Sequence, residues 1–122
     1  MPQPGEDLRA RTRVHALAII RLYRDLPKTE EARILGRQLL RSGTSIGAQY
    51  REACRAKSPA DFISKMEGSL QELDETAYWM ELLNESGIMP SDVLAPLQKE
   101  NTELTAIFVA SVRTAKRNRA GR

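Results

Sequence analysis

The sequence predicts an all-α fold, an antiparallel up-down-up-down four-helix bundle, on three observations. The prolines, at positions 2, 4, 27, 59, 90 and 96, leave long stretches between them unbroken. Within those stretches apolar residues recur every three or four positions, the period of one helix face. Aromatic side chains make up only 5% of the chain, so Leu, Ile, Ala and Met must fill the core, which suits packed helices better than a β-sandwich. The 122 residues read as one domain, 1–122, long enough to bury a single core.

The first helix is expected over residues 7–25, stopped by Pro27, with Val14, Leu17, Ala18, Ile20 and Leu22 as its apolar stripe. The second, over 30–56, opens at Thr29 as N-cap, followed by Glu30 and Glu31, which suit the positive end of the helix dipole. Its middle, "SGTSIG" over 42–47, contains poor helix formers, with Gly costing about 1 kcal/mol against Ala. Two adjacent stripes nevertheless run through it without a slip: Leu35, Leu39, Ser42, Ile46, Gln49, Ala53 and Gly36, Leu40, Gly43, Gly47, Tyr50, Cys54. The helix therefore continues. Gly43 and Gly47 let another backbone approach closely and, with Trp79, are expected at contacts between subunits.

The third helix, over 59–86, has Ser58 as N-cap, Pro59 at the first helical position and Asp61 at the capping-box position. Phe62, Met66, Ser69, Leu73, Thr76, Met80 and Leu83 form its core stripe, and Gly87 with Pro90 ends it. The fourth, over 91–116, begins at Ser91 or Asp92 and repeats the pattern with Leu94, Leu97, Asn101, Leu104, Phe108, Ser111 and Ala115. Residues 117–122 read as a frayed basic tail. Connections this short favour antiparallel neighbours.

Charge is segregated along the chain. Residues 1–60 hold twelve basic and six acidic side chains, 61–110 two and ten, and 111–122 five and none. This pattern excludes a uniformly basic nucleic-acid binder but leaves room for a basic face. The start, "MPQPGEDLRARTR", leads into the five-residue apolar run "ALAII", too short for a signal peptide or a membrane span. One cysteine, Cys54, excludes an intrachain disulfide and a cysteine-based zinc site, so a reduced, cytoplasmic protein is expected.

The stretch "RSGTSIGAQYREACRAKSPADFISKMEGSLQELDETAYWMELLNESG", from Arg41 to Gly87, resembles the central signature of the four-helix bundle proteins first noted in intervening sequences of 23S ribosomal RNA genes. It is also similar to the accessory variability protein of diversity-generating retroelements. Arg41, Ser45, Ile46 and Glu52 fit the family pattern, whereas Gln49 stands where the family usually has Asn. The resemblance implies a small cytosolic bundle, commonly a homopentamer, with nucleic-acid binding in some relatives and no assigned activity for most.

Arg33, Arg37 and Arg41, four apart, line one helix face, and Arg51 and Arg55 extend it. One reading is a phosphate-contacting face, helped by Arg9, Arg13 and the tail; its partner would be RNA, DNA or a nucleic-acid-handling protein. Arg suits phosphate because its guanidinium forms paired hydrogen bonds. The other reading is a structural or protein-interaction bundle whose arginines complement the acidic third helix of the same or a neighbouring subunit. A third reading, a metal-dependent nucleotide pyrophosphohydrolase, would use Glu72 with Glu75 and Glu100 with Glu103, carboxylate pairs suited to Mg²⁺. Against it, Leu73 and Leu104 already occupy the core stripes, so no metal site, cofactor or catalytic residue is assigned. His15 is expected to be half-buried on the edge of its stripe, and Cys54 buried and inert. Asn101 and Gln49 are expected on core stripes, where they either pair with each other or fix the bundle's register.

Overall fold

Four α-helices, joined by connections of four or five residues, form a bundle: α1 (Pro4–Asp25), α2 (Glu30–Cys54), α3 (Pro59–Glu85) and α4 (Ser91–Ala120). The computed structural model describes residues 4–121, with side chains from Leu8 onward. Helix α1 packs on α2, α2 on α3, α3 on α4, and α4 closes more thinly back onto α1. No described helix is long and apolar enough to cross a membrane.

The caps follow from local chemistry. Thr29 accepts a hydrogen bond from the Ala32 N–H, and Ser58 accepts one from the Asp61 N–H at 3.0 Å, with Pro59 fitting the first turn of α3. Gly87, at φ 78, takes the left-handed conformation that side chains disfavour, and the Met89 N–H reaches back to the Leu83 carbonyl. Helix α4 has Pro90 as its cap with no side-chain bond; the Ser91 hydroxyl instead accepts from Asn84 at 2.8 Å. The α4 helix continues to Ala120, so residues 117–120, read from sequence as tail, form its last turn.

Helix α2 is unbroken through "SGTSIG", and the small residues there face its two neighbours. On one side Gly36 lies against Leu26 and Tyr23, Gly43 against Ile19, and Gly47 against Thr12. A Cβ on Gly43 would sit 2.5 Å from Ile19 Cδ1. The backbone these glycines admit is thus α1 of the same chain. Gly43 is buried against α1, and Gly47 packs on the same helix at Thr12.

On the other side of α2, buried Ser69 of α3 donates to the Ile46 carbonyl at 3.0 Å, and the Thr76 and Ser42 hydroxyls pair at 2.9 Å. Gly68 leaves space that the Gln49 side chain covers. With the Glu52–Lys65 ion pair, these partners run in opposite senses along α2 and α3.

The core has two parts. At one end Tyr50, Phe108, Met66, Leu73 and Leu104 pack together, the Tyr50 and Phe108 rings edge-on at 5.5 Å. At the other, Ile19, Leu39, Met80, Leu83 and Leu94 meet. The stripe expected on α1 is displaced: Val14 and Leu17 are exposed, and the buried face is Leu8, Thr12, His15, Ile19, Leu22 and Leu26. That face keeps the same 4-3-4-3-4 spacing. Two polar residues within it conceal the register from a reading of apolar residues alone.

Adding a methyl group at Gly43 tests the α1–α2 approach. Gly43→Ala should lower stability by about 1–3 kcal/mol through overpacking against Ile19. Ile19→Val should recover part of that loss in a double-mutant cycle read by chemical denaturation.

Candidate nucleic-acid interface

Arg33, Arg37, Arg41, Arg51 and Arg55 are all exposed. At 100° per residue Arg33, Arg37, Arg41 and Arg51 fall within an arc of about 80° on α2, with Thr44 and Ala48 between. Arg55 is the C-cap just past the helix, which ends at Cys54 rather than at the expected residue 56. None of the five makes an ion pair among the described residues. Three acidic residues of α3 and α4 are engaged elsewhere: Glu67 with Lys116 at 3.0 Å, and Glu100 and Glu103 with Arg11. No ion pair joins any of the five arginines to α3 of the same chain among the described residues.

Between α1 and α2 runs a groove of about 350 Å³, floored by Ala16, Gly47 and Ala48 and flanked by Arg13 and Arg51. The close Gly47–Thr12 approach keeps its floor free of bulky side chains. The groove thus brings one arginine of α1 beside the arginine face of α2, a juxtaposition set by helix register.

Arg11 grips Glu100 with two nitrogens, Nε to Oε2 at 3.1 Å and Nη2 to Oε1 at 2.5 Å, and reaches Glu103 at 3.4 Å. This fork geometry uses the carboxylates that a metal reading would need. Among the described residues no three His, Cys, Asp or Glu side chains converge as metal ligands. Sequence spacing did not reveal the Arg11 contact, because its partners lie on the helix most distant in the chain.

Beneath that ion pair, His15 is 2% exposed, well inside the core rather than at its edge. Asn101 Nδ2 donates to the Leu73 carbonyl at 2.9 Å, so its Oδ1 accepts from His15 Nε2–H at 3.0 Å. The partner of Asn101 is thus His15, while Gln49 lies half-exposed over Gly68, too far round α2 to reach the core. His15 Nδ1 is buried with no hydrogen-bond partner. Burial holds the imidazole below its ordinary pKa, against the opposing pull of the Asn101 bond and the Glu100 charge, with Arg11 adding to the lowering. The signal for this network was in the sequence, since Thr12, His15 and Ile19 continue a 4-3-4 register.

Cys54, expected to be buried, is exposed: its neighbour Ala53 takes the buried position in the last turn of α2. It lines a groove of about 340 Å³ at the bundle end with Ser58, Phe62 and Arg119. Tyr50, one turn earlier, is buried, and burial and hydrogen bonding with Cys54 push its hydroxyl pKa up. Trp79 packs half-buried against the core cluster of Ile19, Leu39, Met80, Leu83 and Leu94 of its own chain, its indole N–H enclosed without a partner. Its neighbour Tyr78, which the sequence reading passed over, is the exposed aromatic, at 53%, with its ring 5.1 Å from Trp79.

The model of the 23S rRNA-intervening sequence protein family matches residues 7–110 of this bundle. The chain belongs to that family. A solved relative is similar over nearly the whole molecule: a protein of unknown function from the S23 ribosomal protein family of Bacteroides thetaiotaomicron VPI-5482. The two are 32% identical, with 91% of this chain and 99% of that one covered, at a TM-score of 0.85. No curated protein matches the chain. Membership in this family carries the helical bundle.

The buried imidazole gives this family member a pH dependence of known sign. A lowered folded pKa means that the unfolded state takes up the proton more readily. The stability from neutral His15 is therefore complete above about pH 6.5 and declines as pH falls below it. Thermal unfolding of the wild type should show a Tm falling between pH 7 and 5. His15→Gln, though less stable at neutral pH, should show a flatter profile over that window.

Proposed function

We propose that this protein is a non-enzymatic helical bundle that binds the phosphate backbone of nucleic acid through its arginine-rich face. The observation that supports this reading is the state of Arg33, Arg37, Arg41, Arg51 and Arg55: exposed, on one face, and not neutralised by an ion pair among the described residues. Arginine is the side chain best matched to paired hydrogen bonding with phosphate oxygens. Nothing on that face offers base readout, so binding is driven by charge and falls steeply with salt.

The working form is a homo-oligomer in the cytoplasm, pentameric by resemblance to the family. Val14, Leu17, Ile34, Tyr78 and Val93, all exposed on the single chain, supply apolar surface for contacts between copies. The alternative is a bundle whose arginines serve subunit or protein contacts alone, with α3 of a neighbouring copy as their acidic partner.

Titration of labelled RNA and DNA against the full-length protein over a range of salt concentrations separates the two. The phosphate-contact reading expects micromolar or tighter binding with a steep salt dependence. Replacing the five arginines with Ala should weaken binding at least about tenfold while oligomer mass stays unchanged. Loss of assembly in the variant, with no nucleic-acid binding by the wild type, would favour the protein-contact alternative.

A further inference from the structure

The four arginines of α2 and Arg55 at its C-cap do not share one electrostatic environment. The partner registers place Arg51 and Arg55 at the end of the bundle where α1 begins and α4 finishes. Arg9 lies close enough to the Tyr50 hydroxyl to act on its ionisation, and Arg13 faces Arg51 across the α1–α2 groove. From α4, Arg119 lines the end groove beside Cys54 and Ser58. Arg113 and Arg117 stand exposed on the same last turns, which are helical to Ala120. The acidic side chains described nearby are Glu52, paired with Lys65, Glu67, paired with Lys116, and Asp61 in the first turn of α3.

The opposite end differs. Arg33 and Arg37 share it with Glu30 and Glu31 of α2, Glu81 and Glu85 of α3, and Asp92 of α4. Charges of both signs intermingle there, so the field at a distance is weak, whereas charges of one sign gathered on one surface reinforce each other.

We infer that the end of the bundle carrying Arg51, Arg55, Arg117 and Arg119 is the docking surface, and that its partner is the backbone of double-stranded nucleic acid. This rests on the nucleic-acid reading above and narrows it. The preference for a duplex follows from the aromatic residues. Proteins that hold single strands stack bases on exposed aromatic rings. At this end Tyr50 and Phe108 are buried and Phe62 is half-buried against the core, while the exposed Tyr78 belongs with Trp79 and the other core cluster. The basic end therefore offers charge and hydrogen-bond donors to phosphates and no platform for unpaired bases.

The test titrates three fluorescent probes of equal length, a DNA duplex, an RNA duplex and a single strand, against full-length protein at several salt concentrations. Duplex should bind more tightly than single strand. R55E/R117E/R119E should weaken duplex binding at least about tenfold and make the log–log salt slope shallower by roughly 2.7, the loss of three phosphate contacts. R33E/R37E/R41E, with the same change in net charge, should also weaken duplex binding but by a factor at least about threefold smaller than the end variant.

Equal losses in the two variants, or tighter binding of the single strand, would overturn the end-docking inference and leave the nucleic-acid reading in place. Absence of binding by the wild type at low salt would overturn both. Circular dichroism and oligomer mass accompany each variant, and the neutral R55Q/R117Q/R119Q replaces the reversed form if that one does not fold.

Discussion

The distance at which α1 and α3 approach α2 governs the rest of the molecule. It is set by small residues: Gly36, Gly43 and Gly47 towards α1, and, towards α3, Ser42 facing Thr76, with Ser69 against the Ile46 carbonyl and Gly68 under Gln49. Each glycine weakens α2 as an isolated helix by about 1 kcal/mol. Packing offsets that cost, because Ile19 and Thr12 occupy the space that side chains would have filled. The hydroxyls add their own compensation. Thr44 and Ser45 donate to carbonyls one turn back on α2, and Ser69 bonds across to the Ile46 carbonyl. A segment that looks like a break is therefore the place where α2 is held on two sides.

With that spacing in place, the thin α1–α4 seam is closed by polar groups. His15 and Asn101 meet in the core while Arg11 clamps Glu100 and Glu103 above them. Each buried polar atom in this network except His15 Nδ1 finds a partner, as burial demands. The same clamp bears on function. By taking up the carboxylates of α4, it joins the two ends of the chain, and the acidic side chains of the middle of the sequence are partly consumed inside the bundle. The arginines on the outside keep their charge available.

Much of the architecture was legible from spacing. The caps at Thr29 and Ser58, the stop at Gly87, the continuity of α2 and the core stripes of α3 and α4 each depend on residues close in sequence, where helix geometry alone relates position to face. The displaced stripe of α1 shows where the method fails. Val14 and Leu17 are apolar and outward, Thr12 and His15 polar and inward, because tertiary partners satisfy the polar pair. Cys54 was misplaced because Ala53, on the adjacent stripe, takes the inward position in the last turn of α2. Gln49 and Asn101 shared a polar character and a core register, yet Gly68 drew one aside and His15 held the other.

The sequence by itself determined the four helices, their ends and most of their inward faces, since those follow from 3.6-residue periodicity and local capping. It also determined that basic and acidic side chains come in blocks. Only the tertiary structure decided which of those charges meet. Arg11 finds Glu100 across 89 positions of sequence, and the basic end gathers residues from near both ends of the chain. Electrostatic interactions act through space, and no periodicity along a chain encodes the distance between helices that the bundle brings together.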